Sequence, residues 1–205
     1  TVSINSIHFA GTTGYATGGF NDSFNGIILK STNSGESWTA VNSTAAAHGN
    51  DIYAVSGSVV YCAGLSGMIL KSTDGGTNWI NQTTGFFNYY GIAFSDEQNG
   101  LVAGIGGSIY RTTNGGTNWA SVNSSSFDWL QSVIYKSSSE VFAVGYNGTV
   151  LRSTNSGAAW QGQNSGVTAW MYGAAFSSTG SCVAAGENGT IIRSTDDGAA
   201  WSSIS

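Results

Sequence analysis

Along the chain, short apolar segments of three to five residues alternate with clusters of Gly, Ser, Thr, Asn and Asp, and no stretch holds helical periodicity for a useful length. One phrase recurs five times: Gly-x-(Ile/Val)-(Leu/Tyr/Ile)-(Lys/Arg)-(Ser/Thr)-Thr-(Asn/Asp)-x-Gly-x-x-Trp. It closes on Trp38, Trp79, Trp119, Trp160 and Trp201, at intervals of 41, 40, 41 and 41 residues. That is the length of one four-stranded propeller blade rather than of a helical repeat. Each unit repeats a second apolar segment, at Ser6–Phe9, Ile52–Val55, Ile92–Phe94, Val133–Tyr135 and Ala174–Phe176. A third ends in Gly: Tyr15–Gly18, Val60–Gly64, Leu101–Gly104, Val141–Gly145 and Cys182–Gly186.

The pattern therefore predicts an all-β chain: one five-bladed β-propeller with four antiparallel strands, A to D, in each blade. The blades fall at about 1–43, 44–84, 85–124, 125–165 and 166–205. In unit 1 the strands are expected at Ser6–Ala10, Tyr15–Gly19, Ile27–Ser31 and Ser37–Val41, with A nearest the axis. Whole blades account for the chain without strand exchange; a piece of a larger ring is the alternative.

The phrase predicts a hairpin fastener between strands C and D. Its Asn or Asp accepts turn N–H groups, its Gly takes the φ > 0 position, and its Trp covers the apolar side of the hairpin. Ser31-Thr32-Asn33-Ser34-Gly35-Glu36-Ser37-Trp38 and its four equivalents resemble the Asp-box (BNR-like) hairpins of sialidases, sortilins and xyloglucanases. With the preceding Gly-x-Ile-Leu-Lys strand they are most similar to the photosystem II assembly-factor-like repeats, which also occur in many secreted bacterial proteins. The resemblance spans essentially the whole chain. It implies a propeller and a secreted or cell-surface location; the families concerned do unrelated things, so it implies no single activity. Sialidase chemistry is not expected, because those enzymes carry an Arg-Ile-Pro motif and an arginine triad. This chain has no proline, and its three arginines all adjoin the fasteners.

Charge narrows the partners. Six Lys and Arg against eleven Asp and Glu, a net charge of −5 over 205 residues, leave no basic surface for nucleic acid, and no apolar run is long enough for membrane insertion. Cys62 and Cys182 form no Cys-x-x-Cys pair and belong to non-adjacent units, so buried free thiols are expected and no metal site or cofactor. Lys30, Lys71, Arg111, Arg152 and Arg193, one per unit, read as solvated rim charges.

If the fasteners mark one face of the ring, the D–A and B–C connections mark the other. That face collects Asp22, Asp51, Asp128, Glu187 and His48, with Phe86, Phe87, Tyr89, Tyr90, Phe127, Trp129, Tyr146, Trp170 and Tyr172. Trp129 and Trp170 stand 41 residues apart, at the same place in adjacent blades. Aromatic faces stack on pyranose C–H groups while amides and carboxylates take the hydroxyls. The expectation is accordingly a non-catalytic extracellular binding or display module. Its glycan ligand would contact Trp129, Trp170, Tyr172, Tyr146, Asp128, Tyr89 and Tyr90. Three alternatives stay open. The aromatics could merely plug the axis. The ring could be a scaffold for a surface protein. Or Asp51, Asp128 and Glu187, from three different blades, could be the axial acids of a glycoside hydrolase.

Overall fold

The computed structural model describes residues 2–20, 26–41, 48–177 and 180–204. Asp22 lies outside the described residues. Blade 1 comprises β1 (Val2–Ala10), β2 (Thr13–Phe20), β3 (Gly26–Ser31) and β4 (Thr39–Val41). Blade 2 comprises β5 (Gly49–Ala54), β6 (Val60–Gly64), β7 (Ile69–Ser72) and β8 (Ile80–Asn81). Blade 3 follows as β9 (Tyr89–Phe94), β10 (Gly100–Gly104), β11 (Ile109–Thr112) and β12 (Ala120–Val122). Blade 4 is β13 (Leu130–Tyr135), β14 (Val141–Gly145), β15 (Val150–Ser153) and β16 (Gln161–Gln163). Blade 5 is β17 (Met171–Phe176), β18 (Cys182–Gly186), β19 (Ile191–Ser194) and β20 (Ser202–Ser203). Each set forms an antiparallel meander in chain order, so the architecture is the five-bladed β-propeller that the repeat predicts.

Burial follows position in the blade. β6, β10 and β14 are buried at every residue, because a B strand is covered on both faces by neighbouring blades. The short D strands carry polar, exposed residues and form the outer edge. Cys62 and Cys182 are buried free thiols, and burial pushes both up to about 12.

The fastener turn has the same backbone geometry in every blade; the Trp indole bonds the fastener Gly carbonyl in blades 1, 2, 4 and 5, whereas in blade 3 the buried Nε1 of Trp119 has no hydrogen-bond partner among the described residues. In blade 2, Ser72 Oγ accepts from the Gly76 amide (2.8 Å) and donates to Asp74, whose Oδ1 accepts from the Asn78 amide (2.8 Å). Gly76 stands at φ +87°, a region costly for any residue with a Cβ, and its carbonyl receives the Trp79 indole N–H at 3.1 Å. Asn replaces Asp in blades 1, 3 and 4 with the same amide acceptance, so the turn needs a carbonyl-type oxygen rather than a charge. Trp160 is buried, whereas the other four fastener tryptophans are half-buried, less covered than a hairpin-core role suggested.

Four of the five repeated basic residues are not free rim charges; Arg193 is exposed and donates to Ser181 Oγ of its own blade (3.2 Å). Lys30 Nζ donates to the Gly75 carbonyl (2.7 Å), Lys71 Nζ to Gly115 (2.8 Å) and Arg111 Nε to Ser156 (2.8 Å), each reaching the fastener of the next blade. At the blade 4–5 junction, Arg152 pairs with Glu140, and Lys136 bridges Glu140 and Asp197. Beside each cation lies a large residue of strand B, Tyr15, Tyr61, Leu101 or Phe142, under the same turn; Tyr61 donates its hydroxyl to the Gly115 carbonyl that Lys71 also occupies. The rim reading therefore fails because these side chains lie flat across the junction, where a cation finds the outward-pointing carbonyl of a left-handed turn.

The inner strands pack in sequence, β1 on β5, β5 on β9, β9 on β13 and β13 on β17, but β17 makes no comparable packing with β1. Among the described residues the ring is thus open between blades 5 and 1.

Two outcomes follow for stability. Trp160→Ala should cost about 3–5 kcal/mol in urea unfolding through the cavity it leaves, and the half-buried Trp38→Ala less. Lys71→Met should cost about 1.5–3 kcal/mol, the range for a hydrogen bond to a charged group, while Lys71→Arg should be close to the parent, as Arg111 already performs this role in blade 3.

Candidate functional site

Every strand A carries a β-bulge at the same place, and the inserted residues are Asn5, Asn50, Tyr90, Gln131 and Tyr172. A bulge re-aims one side chain out of the alternating pattern. Here all five line one cavity of about 600 Å³ at the mouth of the axis, together with Ile4, Ser6, His48, Asp51 and Ser132. A second cavity of about 300 Å³ continues along the same strands and shares Ser6, Asp51 and Ser132. The axis therefore opens as a channel whose mouth is polar and whose continuation is lined largely by apolar and tyrosine side chains; Tyr90 and Tyr172 line the mouth.

Asp51 ties three blades together at the channel wall. Its Oδ1 accepts from Ser6 Oγ of blade 1 (2.5 Å) and from the Ile52 amide (2.9 Å), and its Oδ2 accepts from the Ile92 amide of blade 3 (2.8 Å). Desolvation outweighs these bonds and pushes the carboxyl up to about 6. Asn5 Nδ2 donates to the Gly49 carbonyl and Asn50 Nδ2 to that of Tyr89, both across blade junctions. Burial also lowers His8, whose Nδ1 accepts from the Ala54 amide while its ring stacks on Tyr53.

Beside the channel lies a pocket of about 310 Å³ lined by Phe127, Asp128, Trp129, Tyr146, Asn147 and Trp170. Its geometry comes from the repeat. Trp129 and Trp170 are the residues just before strand A in blades 4 and 5, and their carbonyls receive the amides of Tyr146 and Glu187 (both 2.8 Å). The equivalent carbonyls in blades 2 and 3 belong to His48 and Asn88. Tyr146 opens a tight turn, Tyr146–Gly148, whose last residue stands at φ +68° against the Val167 carbonyl, with no room for a Cβ. Gly148 donates to the Ala169 carbonyl (2.8 Å), which fixes the turn beside Trp170. The rings of Tyr146 and Trp170 are 4.0 Å apart, those of Trp129 and Tyr146 6.0 Å, and those of Tyr90 and Trp129 6.3 Å and nearly parallel. A four-ring ledge thus runs from blade 5 to the channel mouth. Asp128 accepts from Asn147 Nδ2 and Thr149 Oγ1 (both 2.9 Å), which holds a carboxylate and an amide at the pocket floor.

Of the residues expected at a ligand site, Trp129, Trp170, Tyr146 and Asp128 line this pocket, and Tyr90 joins it to the channel. Tyr172 is exposed at the channel mouth instead. Tyr89 is a correction: it is 0% exposed, its hydroxyl donates to the Thr84 carbonyl (2.7 Å), and burial pushes it well above the usual phenol range. The bulge gives Tyr90 the outward position and turns Tyr89 into the core. The three acids do not converge: Asp51 lines the channel and Asp128 the pocket, and Glu187 lines neither. Asn5, Asn50 and Ser132 carry no mark of a contact in the reading of that face. Their signal was the run of small or polar residues before the first apolar position of each strand A, namely Ser6, Asp51, Gly91, Ser132 and Gly173.

Asp51 sets a pH dependence. Below pH ~4 it is neutral folded or unfolded; between ~4 and 6 the folded chain keeps a proton that the unfolded chain loses, so stability falls as pH rises, and the loss is complete above 6. Thermal unfolding followed from pH 3.5 to 7.5 should show this step in the parent, and the difference curve against Asp51→Asn should isolate it.

No family model matches the sequence, and no curated protein matches it. Solved structures do. A GH74 enzyme of Niastella koreensis superposes with a TM-score of 0.81 at 19% identity, covering 98% of this chain and 38% of that one. A GH74 xyloglucanase from Xanthomonas campestris gives 0.77 at 13%, covering 98% and 38%. YCF48 bound to D1 peptide gives 0.73 at 18%, covering 98% and 66%. The chain thus spans about two thirds of the YCF48 chain and little more than a third of the GH74 enzymes, and at these identities the likeness shows one thing, the β-propeller fold.

Proposed function

We propose that the protein is a binding module for carbohydrate, secreted or displayed at a cell surface, whose five fasteners are Asp-boxes. The observation that carries the reading is the ledge of Trp170, Tyr146, Trp129 and Tyr90 beside the Asp128–Asn147 pair. Such a ledge stacks successive sugar rings while the floor and the bulge amides of the channel mouth take hydroxyls. Among the described residues no lysine or arginine lines either cavity, which favours a neutral ligand over a phosphorylated or sulfated one. The xyloglucanase among the fold neighbours makes β-glucan oligosaccharides the first probes.

Phe127, 94% exposed beside the pocket, favours a second reading, in which the same ledge receives an apolar peptide side chain. One of the fold neighbours was solved with a peptide bound.

Titration calorimetry with xyloglucan heptasaccharide and cellohexaose tests the choice. Trp129→Ala and Trp170→Ala should each weaken binding 5- to 10-fold, about 1–1.4 kcal/mol, with the unfolding midpoint unchanged. Equal binding by parent and variants, or none by the parent across a glycan array, would hand the ledge to the peptide reading.

A further inference from the structure

The aromatic ledge has a direction. It starts at Trp170 and steps through Tyr146 and Trp129 to Tyr90, with ring separations of 4.0, 6.0 and 6.3 Å. Tyr90 is also a wall of the cavity at the channel mouth, so the last ring of the ledge is the first side chain of that cavity. Beyond it the wall turns polar, through Asn50 and Asp51 of blade 2. The repeat position that supplies Trp129 and Trp170 holds Asn88 and His48 in blades 3 and 2, and both are spent on neighbours. Asn88 Oδ1 accepts from the Ser66 amide, and His48 Nε2 meets Asn5 Nδ2, each at 2.9 Å.

The mouth has the size of a ligand pocket, about 600 Å³, and its continuation down the axis only about 300 Å³. In the continuation the lining changes to Ile52, Ile92, Val133 and Ile134 with Tyr53 and Tyr135. A sugar ring, with hydroxyls around its edge, would shed water there and find few partners in exchange, so the mouth is where it stops. The polar groups of the mouth divide into two kinds. Asn50 commits its Nδ2 to the Tyr89 carbonyl, and Asp51 commits both oxygens to Ser6, Ile52 and Ile92, so these two fix the wall. The side-chain polar groups of Tyr90, Gln131 and Ser132, from blades 3 and 4, have no hydrogen-bond partner among the described residues and remain for a ligand.

We propose that the mouth is a terminal subsite: a glucan chain lies along the ledge and its last ring enters the mouth beside Tyr90, Gln131 and Ser132, so the protein recognises a chain end rather than an internal stretch. The proposal rests on the carbohydrate reading of the ledge and adds to it the place where the chain stops. A groove open at both ends lets a polymer pass through, whereas a ledge that runs into a well admits only an end.

Stoichiometry against chain length tests this. Cellohexaose and soluble β-glucan fractions of increasing length are titrated into the protein by calorimetry, and the number of proteins bound per glucan molecule is read at each length. That number should stay constant, because lengthening a chain adds no ends. Gln131→Ala should weaken cellohexaose binding about 3- to 10-fold, the scale of one lost hydrogen bond, and Gln131→Trp, which fills the mouth, should abolish it. Circular dichroism checks the fold of both variants, and the stoichiometry of the parent decides the matter by itself should either misfold. A number that climbs in proportion to length, or a folded Gln131→Trp protein that binds cellohexaose like the parent, would overturn the terminal subsite and leave the ledge a carbohydrate site. A parent that binds none of these glucans would overturn it as well, and the carbohydrate reading falls with it only if a glycan array is also blank.

Discussion

The structure depends on one contact made again and again: the left-handed turn of a fastener in one blade, held by a cation and an apolar side chain of the blade before it. A short sheet with both faces apolar cannot stand alone, since it would leave Ile, Val and Leu side chains in water on both sides. The fastener closes the outer hairpin of a blade with its own Ser, Asn or Asp and Trp, and turns a backbone carbonyl outward. Lys30, Lys71 and Arg111 take that carbonyl across the junction, so the same eight residues close one blade and dock it on another.

That arrangement leaves the opposite face at liberty to vary. There the chain turns through tight B–C loops whose glycines press on the following D–A loop, so a residue placed just before strand A is held in a fixed relation to the loop beside it. In blades 2 and 3 the position holds His48 and Asn88; in blades 4 and 5 it holds Trp129 and Trp170, and the ledge exists on that side alone. The bulges do similar work at the axis. By adding one residue to each strand A they send Asn5, Asn50, Tyr90, Gln131 and Tyr172 toward a common cavity, and by linking blades 1, 2 and 3 through Asp51 they stiffen the wall around it.

The fold was legible because it is periodic. Five tryptophans at intervals of 40 or 41 residues, each preceded by the same turn chemistry, specify strands C and D, and the repeated apolar segment followed by a Gly-ended apolar run specifies strands A and B, within a few residues of where they stand. The site was legible only in part. Trp129, Trp170, Tyr146 and Asp128 could be assigned to one face and one pair of blades from spacing, because loop order alternates faces. Tyr89 could not be told from Tyr90, since which of two neighbouring tyrosines turns inward is set by a bulge that leaves no mark in the pattern.

The sequence by itself determined the repeat, the strand order and the side of the ring on which variation gathers, all of which rest on local chemistry: turn residues, alternation and spacing. Only the tertiary structure decided where the cations go, which acid is buried and whether the ring closes. Lys71 reads as a surface charge until the carbonyl of Gly115 is brought beside it, and Asp51 reads as a loop acid until three blades converge on it. Ile7 and Ile52 occupy the same position in the repeat and read as equally buried. One is covered and the other open because burial on a blade face is conferred by the neighbouring blade, which no local pattern records.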